Sequence, residues 1–453
     1  MAKNLLWIVA DQWRADHLGI LGKVPVETPN LDRLAQRSLT FTAHYAQAAP
    51  CGPSRASMYT GQYPQRHGSW RNGVPADPAL DNWALALRRE GYAAAVSGYT
   101  HFALPGDAAA ERYWPRDFEG ILPGLEVLSD FRIDHRAWHA WMRERGVTPP
   151  ASGDERAWGL AEYPFAHSDT AFIADGAIRY LRSRGEQPWA LHVSFFRPHD
   201  PYFVASDLGH LIAPREECIR GLASLDAMCA AHPYFETTRD DPKAAAPENA
   251  NDLAAMRAHY RASVYEMDAG VGAILAALDE GGLRDDTLIV VTADHGDQLG
   301  DHHLAGKLGV FDQSFNVPLI VCDPGSAADA TRGTTCAEPT EAVDLVPTVL
   351  DALCGHGATG PGRSLRPLLG ARVPADWRSA VGWGYDYSSP GGAPRRLHAI
   401  RTADRLYVEF TDLPPFMIDY ENDGEDGWVN RADDPAYAEE RHRLAQFVAE
   451  RRA

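Results

Sequence analysis

Two short runs, Asn4-Leu5-Leu6-Trp7-Ile8-Val9 and Thr287-Leu288-Ile289-Val290-Val291-Thr292, decide the fold. Each is too short for a helix, rich in β-branched or aromatic residues, and apolar on both alternating faces. That pattern predicts a strand covered on both sides. Residues 93–97, 189–195 and 317–321 read the same way. Helical stretches lie between them: from Asn30 through Leu31, Leu34 and Ala35, then 54–61, 79–90, 168–182 and 341–353. The longest is 251–281, where Met256, Tyr260, Val264, Met267, Val271 and Leu275 fall near helical spacing. Buried strands alternating with helices predict an α/β fold with a mostly parallel central sheet sandwiched by helices. Residues 103–165 and 200–250 are irregular, and long excursions of this kind tend to carry function. From about 371 the chain changes character, with short strands at 379–387, 397–401, 405–410 and 416–419 and a closing helix at 439–451. We therefore expect a catalytic domain over 1–370 and a small antiparallel sheet-plus-helix subdomain over 371–453.

The chain has 453 residues, with 62 acidic and 43 basic side chains and a formal net charge of −19. That balance argues against nucleic acid or an anionic membrane as partner, but not against a small anionic substrate bound at a local positive site. Six cysteines, Cys51, Cys218, Cys229, Cys322, Cys336 and Cys354, form neither a disulfide framework nor a zinc-finger spacing. The apolar run from Leu5 meets Asp11 too early for a signal-peptide core, and a cytoplasmic protein is expected.

Four of the expected strands end in polar clusters. Asp11 and Gln12 follow the first; Tyr99, Thr100 and His101 follow 93–97; Arg197, His199 and Asp200 follow 189–195; Asp294, His295 and Gly296 follow 287–292. In open α/β sheets ligands bind beyond the carboxyl ends of the strands, so parallel strands would gather these clusters on one rim. Asp11, Gln12, Asp294 and His295 supply hard oxygens and one imidazole, a set suited to Ca²⁺, Mg²⁺ or Mn²⁺. The alternative is that both aspartates are turn residues. His302-His303 reads as a loop pair, because neighbouring residues rarely chelate together. Cys51-Gly52-Pro53-Ser54-Arg55 opens a helix. There a thiol would have a depressed pKa and the free N–H groups would favour oxyanions; a plain buried cysteine before a helix-start proline is the other reading.

The stretch Cys51-Gly52-Pro53-Ser54-Arg55-Ala56-Ser57-Met58-Tyr59-Thr60-Gly61 resembles the sulfatase signature, C-x-P-S-R followed by T-G, with Tyr59 in place of the usual leucine. Tyr63-Pro64-Gln65-Arg66-His67-Gly68 resembles its continuation. Asp294-His295-Gly296 with Leu299, Gly300 and Lys307 is similar to the family's second metal segment. The resemblance spans nearly the whole chain and implies an alkaline phosphatase-like fold. It further implies that a formylglycine-generating enzyme oxidises Cys51 to formylglycine before folding. One Ca²⁺ or Mn²⁺ would be held by Asp11, Gln12, Asp294, His295 and the modified Cys51. In that scheme the hydrated aldehyde attacks the ester, Arg55 holds it and a metal carboxylate, and His199 or Lys307 protonates the leaving oxygen. Lys307, His101, Tyr99 and Asn72 bind the sulfuryl oxygens, and His101 serves as base for product release.

Two branches of the family compete. Asp11-Gln12-Trp13-Arg14-Ala15-Asp16, Asn72, Arg197-Pro198-His199 and 300–307 are similar to phosphonate monoester hydrolases, and Tyr99 stands where sulfatases carry lysine. His101 keeps the sulfatase histidine, and the chain stops soon after its last helix, where phosphonate hydrolases of this type run into a tetramer-building tail. The expectation is an arylsulfatase-type sulfuric ester hydrolase, a homodimer, with phosphonate monoester or phosphodiester hydrolysis as the alternative. Two other classes fit less well: an oxyanion-binding protein without turnover, which the intact Cys51 and metal set oppose, and a two-metal phosphodiesterase or mutase, for which the sequence offers no convincing second cluster.

Overall fold

A computed structural model of the chain describes residues 2–104, 120–132, 135–150, 158–239, 244–357, 360–388, 392–424 and 429–452. The central sheet contains β1 (Asn4–Asp11), β2 (Leu39–Phe41), β3 (Ala93–Gly98), β4 (Glu126–Asp130), β5 (Trp189–Pro198), β6 (Thr287–Ala293), β7 (Leu319–Cys322) and β8 (Thr334–Cys336). Its order is β8-β2-β7-β6-β1-β5-β3-β4. Strands β6, β1, β5 and β3 are adjacent and parallel, so the four polar clusters share one rim. Strand β7 runs antiparallel to both its neighbours, β6 and β2. The short strands β2 and β8 escape the sequence reading, because runs of this length carry little periodicity.

Both faces of the sheet are covered, which is why its central strands lack a polar side. Leu6, Ile8 and Ala10 of β1 pack with α1 (Pro29–Ala35), α4 (Asp169–Arg182) and α5 (Ala250–Glu280). Leu5, Trp7 and Val9 face the other way, toward α2 (Cys51–Thr60), α3 (Trp83–Arg89) and α6 (Leu345–Cys354). The alternation within one strand therefore builds two separate cores. Helix α5 begins at Asn249, whose side chain accepts from the N–H groups of Asn251 and Asp252. Helix α2 ends at Gly61, which takes a left-handed conformation and returns its N–H to the Ser57 carbonyl.

The four-stranded antiparallel sheet of Val381–Asp386, Arg396–Arg401, Arg405–Phe410 and Phe416–Asp419 follows its chain order. One face takes the terminal helix Ala438–Arg452 through Leu444 and Val448. The other packs on the large domain, where Trp383 stacks at 4.6 Å on Phe315 and 5.8 Å from Tyr45. No helix among the described residues is long and apolar enough to cross a membrane.

Burial keeps several histidines neutral. His44, His67, His192 and His302 are each pushed down to about 3 from 6.5, with loss of hydration as the first cause. Between those values the unfolded chain binds more protons than the folded one, so stability rises with pH through the window and levels off above 6.5. Glu266, raised to about 7 chiefly by burial, acts oppositely from 4.5 upward, as do Asp268 and Asp344, but the lowered histidines are more numerous, His17, His232, His259 and His398 among them. The midpoint of thermal unfolding should therefore fall steadily as pH is lowered from about 6.5 toward 5. A midpoint unchanged across that interval would show that these imidazoles are not held neutral.

Candidate active site

The rim gathers its groups around Cys51, the first residue of α2. Its Sγ lies 3.6 Å from Asp11 Oδ1, 3.2 Å from His295 Nε2 and 3.1 Å from Lys307 Nζ, and the residue is 2% exposed. Lys307 Nζ donates to His199 Nε2 at 2.6 Å, and that nitrogen is 4.0 Å from Asp11 Oδ1. Loops separated by some 300 residues of sequence thus meet within one hydrogen-bonded cluster.

Arg55, one turn into α2 and fully buried, organises the carboxylates. Its Nε donates to Asp294 Oδ2 at 2.7 Å, and one terminal nitrogen donates to Asp11 Oδ2 at 3.2 Å and to the Tyr99 hydroxyl at 3.3 Å. The other terminal nitrogen donates to Ser194 Oγ at 2.8 Å and Tyr59 Oη at 3.2 Å. Five donated bonds match the five N–H groups of a guanidinium. The expected contact to a metal carboxylate is thus doubled, to Asp11 and Asp294 alike. Tyr99 donates its own proton to Asp11 Oδ2 at 2.5 Å, so its hydroxyl is directed to a carboxylate.

The residues present fit one divalent cation. Ligand atoms of Asp11, Cys51, Asp294 and His295 all lie within 4.8 Å of one another. His295 Nδ1 donates to the Gly296 carbonyl at 2.9 Å, which leaves the Nε2 lone pair facing Cys51 and Asp11. Gln12, held at a positive φ of 67°, donates its amide to Asp200 and Asp297, while its buried Oε1 has no hydrogen-bond partner. An unpaired buried oxygen beside two carboxylates and an imidazole is the donor set a hard cation completes.

Charge follows from this enclosure. Burial acts to raise Asp11, but His199, Arg55 and Lys307 outweigh it and hold the carboxyl well below its usual range. His295 is lowered, first by burial, and so stays neutral. Burial acts to lower Lys307, but the carboxylates of Asp11, Asp200 and Asp294 outweigh it and hold the ammonium above its usual value. The Cys51 thiol is not depressed as its place at a helix start predicts. Burial first, and Asp11 next, push it well above the ordinary value, despite its place at a helix N-terminus.

The remaining sequence candidates fall close by. Asn72 Oδ1 accepts the Gly52 N–H at 2.9 Å, so it caps the helix beside Cys51. His101 is buried, with φ of 48°, and its carbonyl lies against Gly52. His199 stacks on Phe196 at 4.8 Å. Arg197, buried, pairs with Asp169 at 3.2 Å behind it. Of the loop pair, His302 stacks on Phe311 at 3.5 Å and His303 bonds the Leu222 carbonyl, both aimed away from Cys51. Arg14 bridges Asp16 and Asp301, tying the first rim loop to the loop that leads to Lys307.

Sequence reasoning missed Ser194, Asp297 and Gly98. Ser194 sits inside a buried strand, where a lone serine gives no signal. Asp297 follows Asp294 by one helical turn's spacing but braces Gln12 and Tyr202. A Cβ at Gly98, where φ is 112°, would collide with the Ser194 carbonyl, so only glycine lets β3 approach β5 at the step before Tyr99. Arg55 yields the sharpest prediction of this geometry. Arg55→Lys keeps the charge and loses the fork, and should lower bound metal per chain and reduce kcat/KM by about 10²-fold or more. Metal analysis and initial rates check it together; full metal occupancy with wild-type rates would sink the assignment.

Comparison with known proteins agrees with the geometry. The sulfatase family model matches residues 3–356. The multifunctional alkaline phosphatase superfamily protein PehA of Trinickia caryophylli is 34% identical over 479 residues, covering 96% of this chain and 92% of that protein. A choline-sulfatase of Rhizobium meliloti is 30% identical, covering 77% of this chain and 67% of that protein. Among solved structures, a phosphonate monoester hydrolase of Agrobacterium radiobacter superposes with a TM-score of 0.88 at 33% identity, covering 99% of this chain and 95% of that one. A site of this chemistry, in this fold, with this sequence kinship, places the chain in the sulfatase family, among hydrolases of sulfate and phosphate esters.

Proposed function

We propose that the chain hydrolyses singly charged tetrahedral esters, phosphonate monoesters ahead of sulfate monoesters, at a formylglycine formed from Cys51. The carrying observation is the division of positive charge. Arg55 is committed to Asp11 and Asp294, Tyr99 gives its proton to Asp11, and Lys307 is the cation that touches both Cys51 and His199. Such a site suits one negative charge better than the nearly two of a phosphate monoester. Phosphonate and sulfate monoesters, and phosphodiesters, all present one. The order between them rests on kinship: relatives acting on phosphonates match over nearly their full length. The length of the C-terminal region does not separate the branches, since the match covers 95% of the phosphonate hydrolase chain. His101 is the observation that favours sulfate, and it keeps the sulfatase reading as the second one.

When present, the hydrated aldehyde supplies an oxygen nucleophile, and a Ca²⁺ or Mn²⁺ held by Asp11, Gln12, Asp294 and His295 would lower that oxygen's pKa. The chain's own residues do the rest. Lys307 binds the ester oxygens and neutralises the charge that grows on them. His199 donates from Nδ1 to the Asp200 carbonyl at 2.5 Å and accepts from Lys307 at Nε2, so this pair can pass one proton to the leaving oxygen. Asn72 fixes the helix start, and His101 takes a proton in the second half-reaction.

The test uses protein whose residue 51 is verified by mass as formylglycine. Its kcat/KM should be higher for an aryl phosphonate monoester than for the aryl sulfate with the same leaving group; a clear excess for sulfate would establish the second reading. Lys307→Ala should cost about 10²–10³-fold for both substrates. His199→Ala should hurt poor leaving groups more than good ones. A uniform loss across leaving groups would remove His199 from the proton path.

A further inference from the structure

At the opposite end of the sheet from the catalytic rim, three metal-ligating side chains converge from distant parts of the sequence. Glu90 terminates α3 and precedes the first residue of β3 by three positions, while Cys354 is the last residue of α6 and His356 follows it across Gly355. One ligand atom from each of Glu90, Cys354 and His356 lies within 4.8 Å of the other two. A tetrahedral zinc site with sulfur at about 2.3 Å and nitrogen at about 2.0 Å needs ligand atoms roughly 3.5 Å apart, so a side-chain rotation closes this set. The Tyr92 hydroxyl, bonded to the Leu353 carbonyl at 3.4 Å, joins the same two segments.

Two further observations point to a cation. His356 Nδ1 is 3.4 Å from the Gly357 carbonyl, a contact it makes as an N–H donor, with Nε2 then available as a metal ligand. That nitrogen lies 3.4 Å from Glu90 Oε1. A positive charge shared by these two atoms, a proton on the imidazole or a metal between them, would join the pair. The carbonyl end of the ten-residue helix α6 adds negative potential at the same place.

We propose that Glu90, Cys354 and His356 form a second metal site, for Zn²⁺ or a similar borderline divalent ion, which clips the end of α6 to the end of α3. Carboxylate, thiolate and imidazole together select such an ion over Ca²⁺ or Mn²⁺, which prefer oxygen. Binding replaces the thiol proton of Cys354, releasing it to solvent. Glu90 and His356 are 47% and 54% exposed, so water can take the fourth position. The ion is structural here, because both ligand-bearing helices end away from Cys51.

Metal-stripped protein is titrated with Co²⁺ as wild type, as Cys51→Ala, and as Cys354→Ser and His356→Ala each made in the Cys51→Ala protein. The expected result is a near-ultraviolet thiolate-to-cobalt absorption that survives Cys51→Ala, disappears in Cys354→Ser and weakens in His356→Ala. Zn²⁺ should raise the thermal midpoint of Cys51→Ala protein more than that of the Cys51→Ala, Cys354→Ser double variant, while ester hydrolysis by matured protein carrying Cys354→Ser alone stays at the wild-type rate. The absence of any thiolate band, or a band that persists in Cys354→Ser, overturns the site and leaves His356 and Glu90 as an ordinary proton-mediated ion pair.

Discussion

Every part of the catalytic rim depends on one buried guanidinium. Asp11 and Asp294 come from the ends of adjacent strands and present like charges to one small space. Arg55 reaches both from a helix that crosses under the rim, and its remaining N–H groups are taken by Ser194, Tyr59 and Tyr99. A fully buried charge is stable only when it is paired and hydrogen-bonded throughout, and this one is. The arrangement fixes the carboxylate orientations before any cation arrives. It also extends downward: Tyr59 bonds His192, and His192 bonds the Trp7 carbonyl inside β1, so the site stands on the backbone of the central strand.

The small C-terminal sheet is part of this construction. Tyr385 both donates to the Gly309 carbonyl and accepts from the Gly309 N–H, at 2.9 and 3.0 Å. Gly309 lies two residues past Lys307. A strand of the antiparallel sheet thereby sets the height of the loop whose lysine meets Cys51 and His199. Packing of aromatic rings at Trp383, Phe315 and Tyr45 holds that sheet in place. The chemistry of the large domain is in this sense tuned from outside it.

The sequence was informative where burial left a continuous mark. Strands β1, β5 and β6 are apolar on both faces and so identify themselves, and the polar residues that end them mark the rim. What escaped was set by contacts between distant residues. Ser194 looks like any buried strand residue until Arg55 is placed against it. Tyr99 reads as a substrate contact by its position, yet its hydroxyl is directed to Asp11, which no local pattern reveals. Cys51 is the clearest case: a helix N-terminus lowers a thiol's pKa in isolation, but burial beside Asp11 has the larger effect. Glu90 and Cys354 are separated by most of the chain, and only the common direction of two helix ends brings them together.

The burial of residue 51 has a consequence for the history of each molecule. With its side chain sealed beneath Lys307, His295 and Asp11, no second protein can reach it once α2 has docked on the sheet. Any chemical conversion there must finish while this segment is still loose, in competition with folding itself. Two fates then diverge permanently. Under the proposed function, a chain that folds first stays in the thiol form. The converted fraction that the proposed function requires would then record the relative speeds of conversion and folding in the cell that made the protein.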